Sequence, residues 1–194
     1  LGYAYFYGEG IEVNKEQAVY WYRKAAKQGL ASAQNNLGYA YKYGVGIEVD
    51  KEQAVYWYRE AAKRGHSAAQ NNLANMLCDG IGCEQDYEEA LYWFTEAWKQ
   101  RNNCATNNLG WMYLNGHGVD RPDYRKAFLL FTEATEQGSE APHKHLAEMY
   151  AQGLGVPIDL SLALEHYKKA KKLGATDVDE QIEQLKKQLS EMTE

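Results

Sequence analysis

Asn36–Gly65 reads N-L-G-Y-A-Y-K-Y-G-V-G-I-E-V-D-K-E-Q-A-V-Y-W-Y-R-E-A-A-K-R-G. Two amphipathic helical stretches flank a loop punctuated by Gly44 and Gly46, and most of the chain is copies of this hairpin. A fixed period of this kind identifies a repeat architecture before any single element is read. Outward from it, the opening leucine recurs as Leu1, Leu37, Leu73, Leu109 and Leu146. The first loop glycine recurs as Gly8, Gly44, Gly80, Gly116 and Gly153, and an alanine of the second helix as Ala18, Ala54, Ala90, Ala127 and Ala163. Each series steps by 36 residues except for one step of 37, whose additional residue lies near Arg121-Pro122, where a loop absorbs it.

Each copy divides in the same way. The first helices (A) are expected near Leu1–Tyr7, Ala31–Tyr43, Ser67–Asp79, Asn103–Asn115 and Glu140–Gln152, each ending at a glycine suited to a left-handed cap. A second glycine (Gly10, Gly46, Gly82, Gly118, Gly155) tightens the reversal, and the Ile, Val or Cys after it is expected to turn inward. The second helices (B) open on Asn14, Asp50, Asp86, Asp123 and Asp159, all good N-cap residues. Gln17, Gln53 and Glu89 follow three of these at capping-box spacing. The B helices are expected to end near Gly29, Gly65, Arg101, Gly138 and Gly174, with Asn102 taking the cap where Arg101 replaces glycine. Bulky pairs such as Trp57-Tyr58 and Trp93-Phe94 alternate with small pairs such as Ala61-Ala62, so the aromatic content reads first as packing between layers. Trp98, in an alanine position, is either an outer contact or a local repacking.

After Gly174 the pattern changes. Asp177 with Glu180 reads as a helix start, and Val178, Ile182, Leu185, Leu189 and Met192 form a one-sided apolar stripe. Residues 176–194 are therefore expected to be a helix that covers the last repeat with one face and meets water with the other.

The balance of charge narrows the partners. A formal net charge of -6 and a pI near 5.5 argue against nucleic acid, which demands clustered Lys and Arg. No apolar run approaches the ~20 residues of a membrane helix. Leu1 falls inside the first repeat's A helix, so the chain is expected to be part of something longer. Cys83 and Cys104 occupy apolar or small slots of the repeat, and Cys78 a position without a fixed demand. A Cys78–Cys83 bridge is compatible with their spacing but nothing requires it. Reduced thiols favour a cytoplasmic setting slightly, with periplasmic or secreted locations open.

With these residues in place, the chain resembles the Sel-1-like repeat family, a loop-extended relative of tetratricopeptide repeats. The second copy carries that family's pattern nearly whole, in Ala33, Leu37, Gly38, Tyr41, Gly44, Gly46, Asp50, Ala54, Trp57, Tyr58, Ala61, Ala62 and Gly65. Departures are local: Leu77 for tyrosine, Arg101 for glycine and His166 for tryptophan. The resemblance spans residues 1–175 as five repeats, the first incomplete (1–30, 31–66, 67–102, 103–138, 139–175). It implies an all-α, right-handed solenoid of antiparallel helix pairs with the A helices lining a concave face. It also implies a non-catalytic adaptor that holds a protein or peptide. Some bacterial relatives neutralise secreted toxins, which makes an immunity role the alternative within binding; a saccharide- or peptidoglycan-binding module is the alternative of another class.

Chemistry finds little purchase. The G-x-G pairs lack the third glycine and preceding strand of a dinucleotide site. Of the five histidines only His143 and His145 are close in sequence, and on a helix they diverge by about 200°. No cofactor or metal is expected, and no nucleophile sits beside a base in sequence, so an enzyme is disfavoured. The candidate site is the A-helix ladder. By the resemblance to tetratricopeptide geometry, Asn35, Asn71 and Asn107 face the groove. Tyr39, Asn75, Trp111 and Glu148 follow one turn on, with Lys42, Cys78 and Leu114 a turn later. An asparagine amide donates and accepts together and can clasp an extended backbone. The same asparagines, paired with Asn36, Asn72 and Asn108, could instead tie repeats to one another. A carboxylate clamp is disfavoured, because only Lys42 and Lys144 offer charge there.

Overall fold

The computed structural model describes residues 1–192, so the last two positions of the expected covering helix lie outside the described residues. Eleven α-helices and no strand occur among the described residues. They are α1 (Gly2–Tyr7), α2 (Lys15–Lys27), α3 (Ala31–Tyr43), α4 (Lys51–Lys63), α5 (Ser67–Asp79), α6 (Tyr87–Lys99), α7 (Asn103–Asn115), α8 (Tyr124–Glu136), α9 (His143–Gln152), α10 (Leu160–Lys172) and α11 (Asp179–Glu191). Two compact units divide them: Leu1–Asn102 holds α1–α6, and the unit beginning at Asn103 holds α7–α11.

Local chemistry sets the boundaries. Asn14, Asp50, Asp86, Asp123 and Asp159 each accept a hydrogen bond from the backbone N–H three residues on, at 2.8–2.9 Å. Each such cap stabilises its helix by about 1 kcal/mol. Gly8, Gly44, Gly80 and Gly153 close the A helices in the left-handed conformation. Within a hairpin, a B-helix ring lies flat on an A-helix backbone. An ideal Cβ on Gly38 would stand 2.8 Å from the Tyr58 ring, and one on Gly110 2.8 Å from Phe131. Tyr58 and Phe131 are fully buried, which makes these large-against-small contacts the centre of each layer.

The second loop glycine does more than reverse the chain. A Cβ on Gly46 would run into the backbone of Lys15 and Glu16, at the start of the preceding B helix, and one on Gly82 into Lys51. In the other unit Gly155 sits the same way on Tyr124 and Arg125. Gly10 has the same left-handed φ of 74° but nothing within 4 Å of its Cβ position. The position is therefore the point where one loop docks on the helix start of the repeat before it.

The covering helix α11 buries Val178, Ile182 and Leu185 with Ala147, Ala163 and Tyr167 of the last repeat. Leu189 is only half-buried and Met192 is exposed, so the stripe is used over its first half.

Four local expectations change. Helix α9 begins at His143 rather than Glu140, because proline biases Ala141 away from helical backbone and Pro142 itself becomes the N-cap. Arg101, not Asn102, makes the turn after α6, with a φ of 59° that only glycine adopts without strain. Helix α11 starts at Asp179, since the Asp177 carboxylate is taken by Lys144 of α9. Ile11 stays exposed where an inward turn is expected, whereas its counterpart Ile47 packs against the core of its unit. The cysteines keep to the reading of their repeat slots: Cys78, Cys83 and Cys104 are all free thiols, and the Cys78–Cys83 bridge that their spacing allows is not formed.

Candidate functional site

In the first unit, α1 and α3 present aromatic rings one turn apart. Tyr3 and Tyr7 stand 4.4 Å apart between ring centres, Tyr39 and Tyr43 4.7 Å, and Phe6 meets Tyr39 edge-on at 6.5 Å. Between them lies a cleft of about 220 Å³ lined by Phe6, Tyr7, Tyr22, Asn35, Asn36 and Tyr39. That is below the roughly 300–1,000 Å³ of pockets that enclose a whole small ligand, so it suits a side chain presented by a larger partner. Tyr39, Tyr43, Tyr3 and Tyr7 are all exposed.

Amides form the wall of this cleft. Asn72 Nδ2 donates to Asn35 Oδ1 at 3.2 Å, Asn35 Nδ2 points to Asn36 Oδ1 at 3.4 Å, and Asn36 hydrogen-bonds the Tyr22 phenol. Asn35 thus lines the cleft and joins two repeats at once, a double use that sequence presents as alternatives. Burial, with Tyr7 alongside, pushes Tyr22 up to about 12, so it stays a neutral phenol. Asn75 Nδ2 donates back to the Asn71 carbonyl at 3.0 Å. Lys42 lies 5.1 Å over the Tyr43 ring, and its carbonyl accepts from Lys51 Nζ. Lys15 makes the equivalent bond to Phe6 O, placing two lysine charges at the negative ends of A helices.

In the second unit, the expected residues are more deeply engaged. Asn107 donates to Asn108 at 3.4 Å, and its own Oδ1 is buried without a hydrogen-bond partner. Trp111 rests on His117 at 4.8 Å, and Trp111 and Leu114 pack against the cluster of Ala127, Phe131, Leu146 and Met149. Glu148 is 3.6 Å from His145 Nδ1. His145 takes the register position of Asn36 and Asn72 and stacks on Phe131 at 4.8 Å.

No group of three or more potential metal ligands occurs among the described residues. Burial pushes the Cys78 thiol up to about 12, which leaves it a protonated packing residue rather than a nucleophile. One contact has no trace in local sequence: His143 and His166, 23 residues apart, meet Nδ1 to Nδ1 at 3.0 Å. The signal available was their register, since each replaces a non-histidine residue of the repeat. No described helix is long and apolar enough to cross a membrane.

The Sel1 repeat model matches residues 1–30, 31–66, 67–102, 105–139 and 145–174. Among solved structures, a Sel1 repeat protein from Oxalobacter formigenes is 39% identical with a TM-score of 0.84, the match covering 89% of this chain and 68% of that one. A protective antigen of uropathogenic Escherichia coli displaying this fold is 35% identical with a TM-score of 0.83, over 93% of this chain and 38% of that one. Helicobacter pylori cysteine-rich protein B shares the fold at 21% identity and a TM-score of 0.50, over 67% of this chain and 92% of that one. No curated protein sequence matches. Sel1 repeats are commonly protein-interaction scaffolds and generally non-catalytic.

Proposed function

The chain belongs to the Sel1 repeat family, and from that premise we propose that it is a non-catalytic scaffold whose A-helix face grips a protein partner through an extended segment. The observation that carries this reading is the cleft between α1 and α3. It combines exposed tyrosine faces with amides that already sit in register across two repeats. Tyrosine supplies large, rigid contact area at low entropic cost, which is why it is enriched at binding hot spots. The segment would place one side chain among Phe6, Tyr22 and Tyr39 and run its backbone past Asn35. Asn71 and Asn75 extend the same helix face in the first unit; Asn107, Trp111, Leu114 and Glu148 form the corresponding set in the second.

Peptide display against the purified chain tests this. Selected peptides are expected to bind wild type and to lose at least tenfold in affinity to Tyr39→Ala, while Tyr56→Ala, an exposed tyrosine of helix α4, leaves binding unchanged. Equal binding to Tyr39→Ala and wild type, or loss only in Tyr56→Ala, would place the contact elsewhere.

A further inference from the structure

We propose that His143 and His166 form a two-histidine site for a late divalent transition metal ion, Cu²⁺ or Ni²⁺ ahead of Zn²⁺, with water completing the coordination. The geometry comes first. The two Nδ1 atoms face each other at 3.0 Å across helices α9 and α10. Two nitrogens about 2.0 Å from one ion are separated by about 2.8 Å in a square plane and about 3.3 Å in a tetrahedron. The observed separation falls between the two and nearer the square plane, the geometry that imidazole and water give Cu²⁺ or Ni²⁺. No third His, Cys, Asp or Glu converges on the pair among the described residues, which argues against a closed tetrahedral zinc site.

The register of the repeat supplies a second observation. His143 stands where Gln34 and Gln70 stand, and His166 where Trp57 and Trp93 stand. The buried Gln34 and Gln70 donate to backbone carbonyls, Ala26 O and Ala62 O. The fourth repeat already replaces both residues, with Thr106 and Leu130, but only in the last repeat do the two positions, which touch, both become the same metal-ligating residue. Tyr150 stacks on His166 at 5.7 Å and fixes the ring plane. The surroundings are mixed in charge: Glu140 acts on His143 and Glu165 on His166, while Lys169 opposes a cation but is itself bound to Glu165 at 2.9 Å. Burial holds both imidazoles below their ordinary pKa, leaving them uncharged at neutral pH.

Calorimetry with NiCl₂ and electron paramagnetic resonance with CuCl₂, both on the full chain at neutral pH, test the site. One saturable equivalent of Ni²⁺, reversed by EDTA, and a Cu²⁺ spectrum split by two nitrogens are expected. His143→Gln and His166→Trp restore the residues of the second and third repeats, so both should fold, and each should abolish the saturable phase. His117→Gln should leave it intact. Absence of saturable binding, or its persistence in either variant, overturns the proposal. If a variant loses its native circular dichroism, the number of nitrogens seen by Cu²⁺ in the wild-type protein decides: two support the site, and one or none refutes it.

Discussion

Replacing Gly46 with alanine separates two costs that sequence merges. Gly46 has a φ of 69° and Gly10 one of 74°, so alanine at either meets the same left-handed backbone penalty, about 1–2 kcal/mol. Lower unfolded-state entropy returns roughly 0.4–1 kcal/mol at both sites. The difference lies in space. A Cβ at Gly10 meets nothing within 4 Å, whereas one at Gly46 falls 2.9 Å from Glu16 N and nearer still to the Lys15 carbonyl. Those atoms are helix-start backbone held by the Asn14 cap and cannot swing aside as a side chain would. Overpacking of this kind adds about 1–3 kcal/mol. Gly10→Ala is therefore expected to cost about 1 kcal/mol and Gly46→Ala about 3 kcal/mol. For a chain of this size the gap is roughly 4–8 °C in Tm. Paired urea and thermal unfolding of the two variants reads it. Equal losses would mean that the loop does not dock on the preceding repeat.

Three further outcomes are expected. Arg101→Gly relieves the left-handed strain after α6 and should stabilise the chain by about 1 kcal/mol in urea unfolding; no gain would mean that the arginine side chain compensates. His66 caps α5 by accepting from Ala69 N–H at 3.2 Å, and burial holds its pKa below the ordinary value. The unfolded chain takes up that proton first, so this contribution is whole above about pH 6.5 and is lost as pH falls below it. His66→Asn keeps a capping acceptor that does not titrate, so the difference in urea midpoint between variant and wild type should shift in the variant's favour from pH 7.5 to 5.5. Asn72→Ala removes the donor to Asn35 and should cost about 1 kcal/mol, against less than about 0.5 kcal/mol for exposed Tyr39→Ala; the reverse order in thermal unfolding would remove the inter-repeat link.

What sequence made legible follows the range of the interactions involved. The N-caps at Asp50 and Asp86 and the glycine stops at Gly44 and Gly80 act within a few residues, and a 36-residue period repeats them, so helices α3 to α6 fall where pattern puts them. Proline at 142 acts just as locally, yet it delays α9 because no other repeat offers a precedent at that position. The docking of Gly46 on Lys15 and the meeting of His143 with His166 join residues 31 and 23 apart in chain order, across helices whose rotation about their axes no periodicity fixes. The asparagine ladder lies between these cases. Register announces the amides, but only coordinates show Asn35 bonded across repeats while lining a cleft.

The proposed binding face is tested most directly by amide and side-chain chemical-shift mapping of the chain with a display-selected peptide bound. Perturbations are expected to centre on Tyr7, Asn35, Asn36 and Tyr39. Perturbations centred instead on Tyr20, Tyr56 and Tyr92, the exposed rings of the B helices, would contradict the assignment.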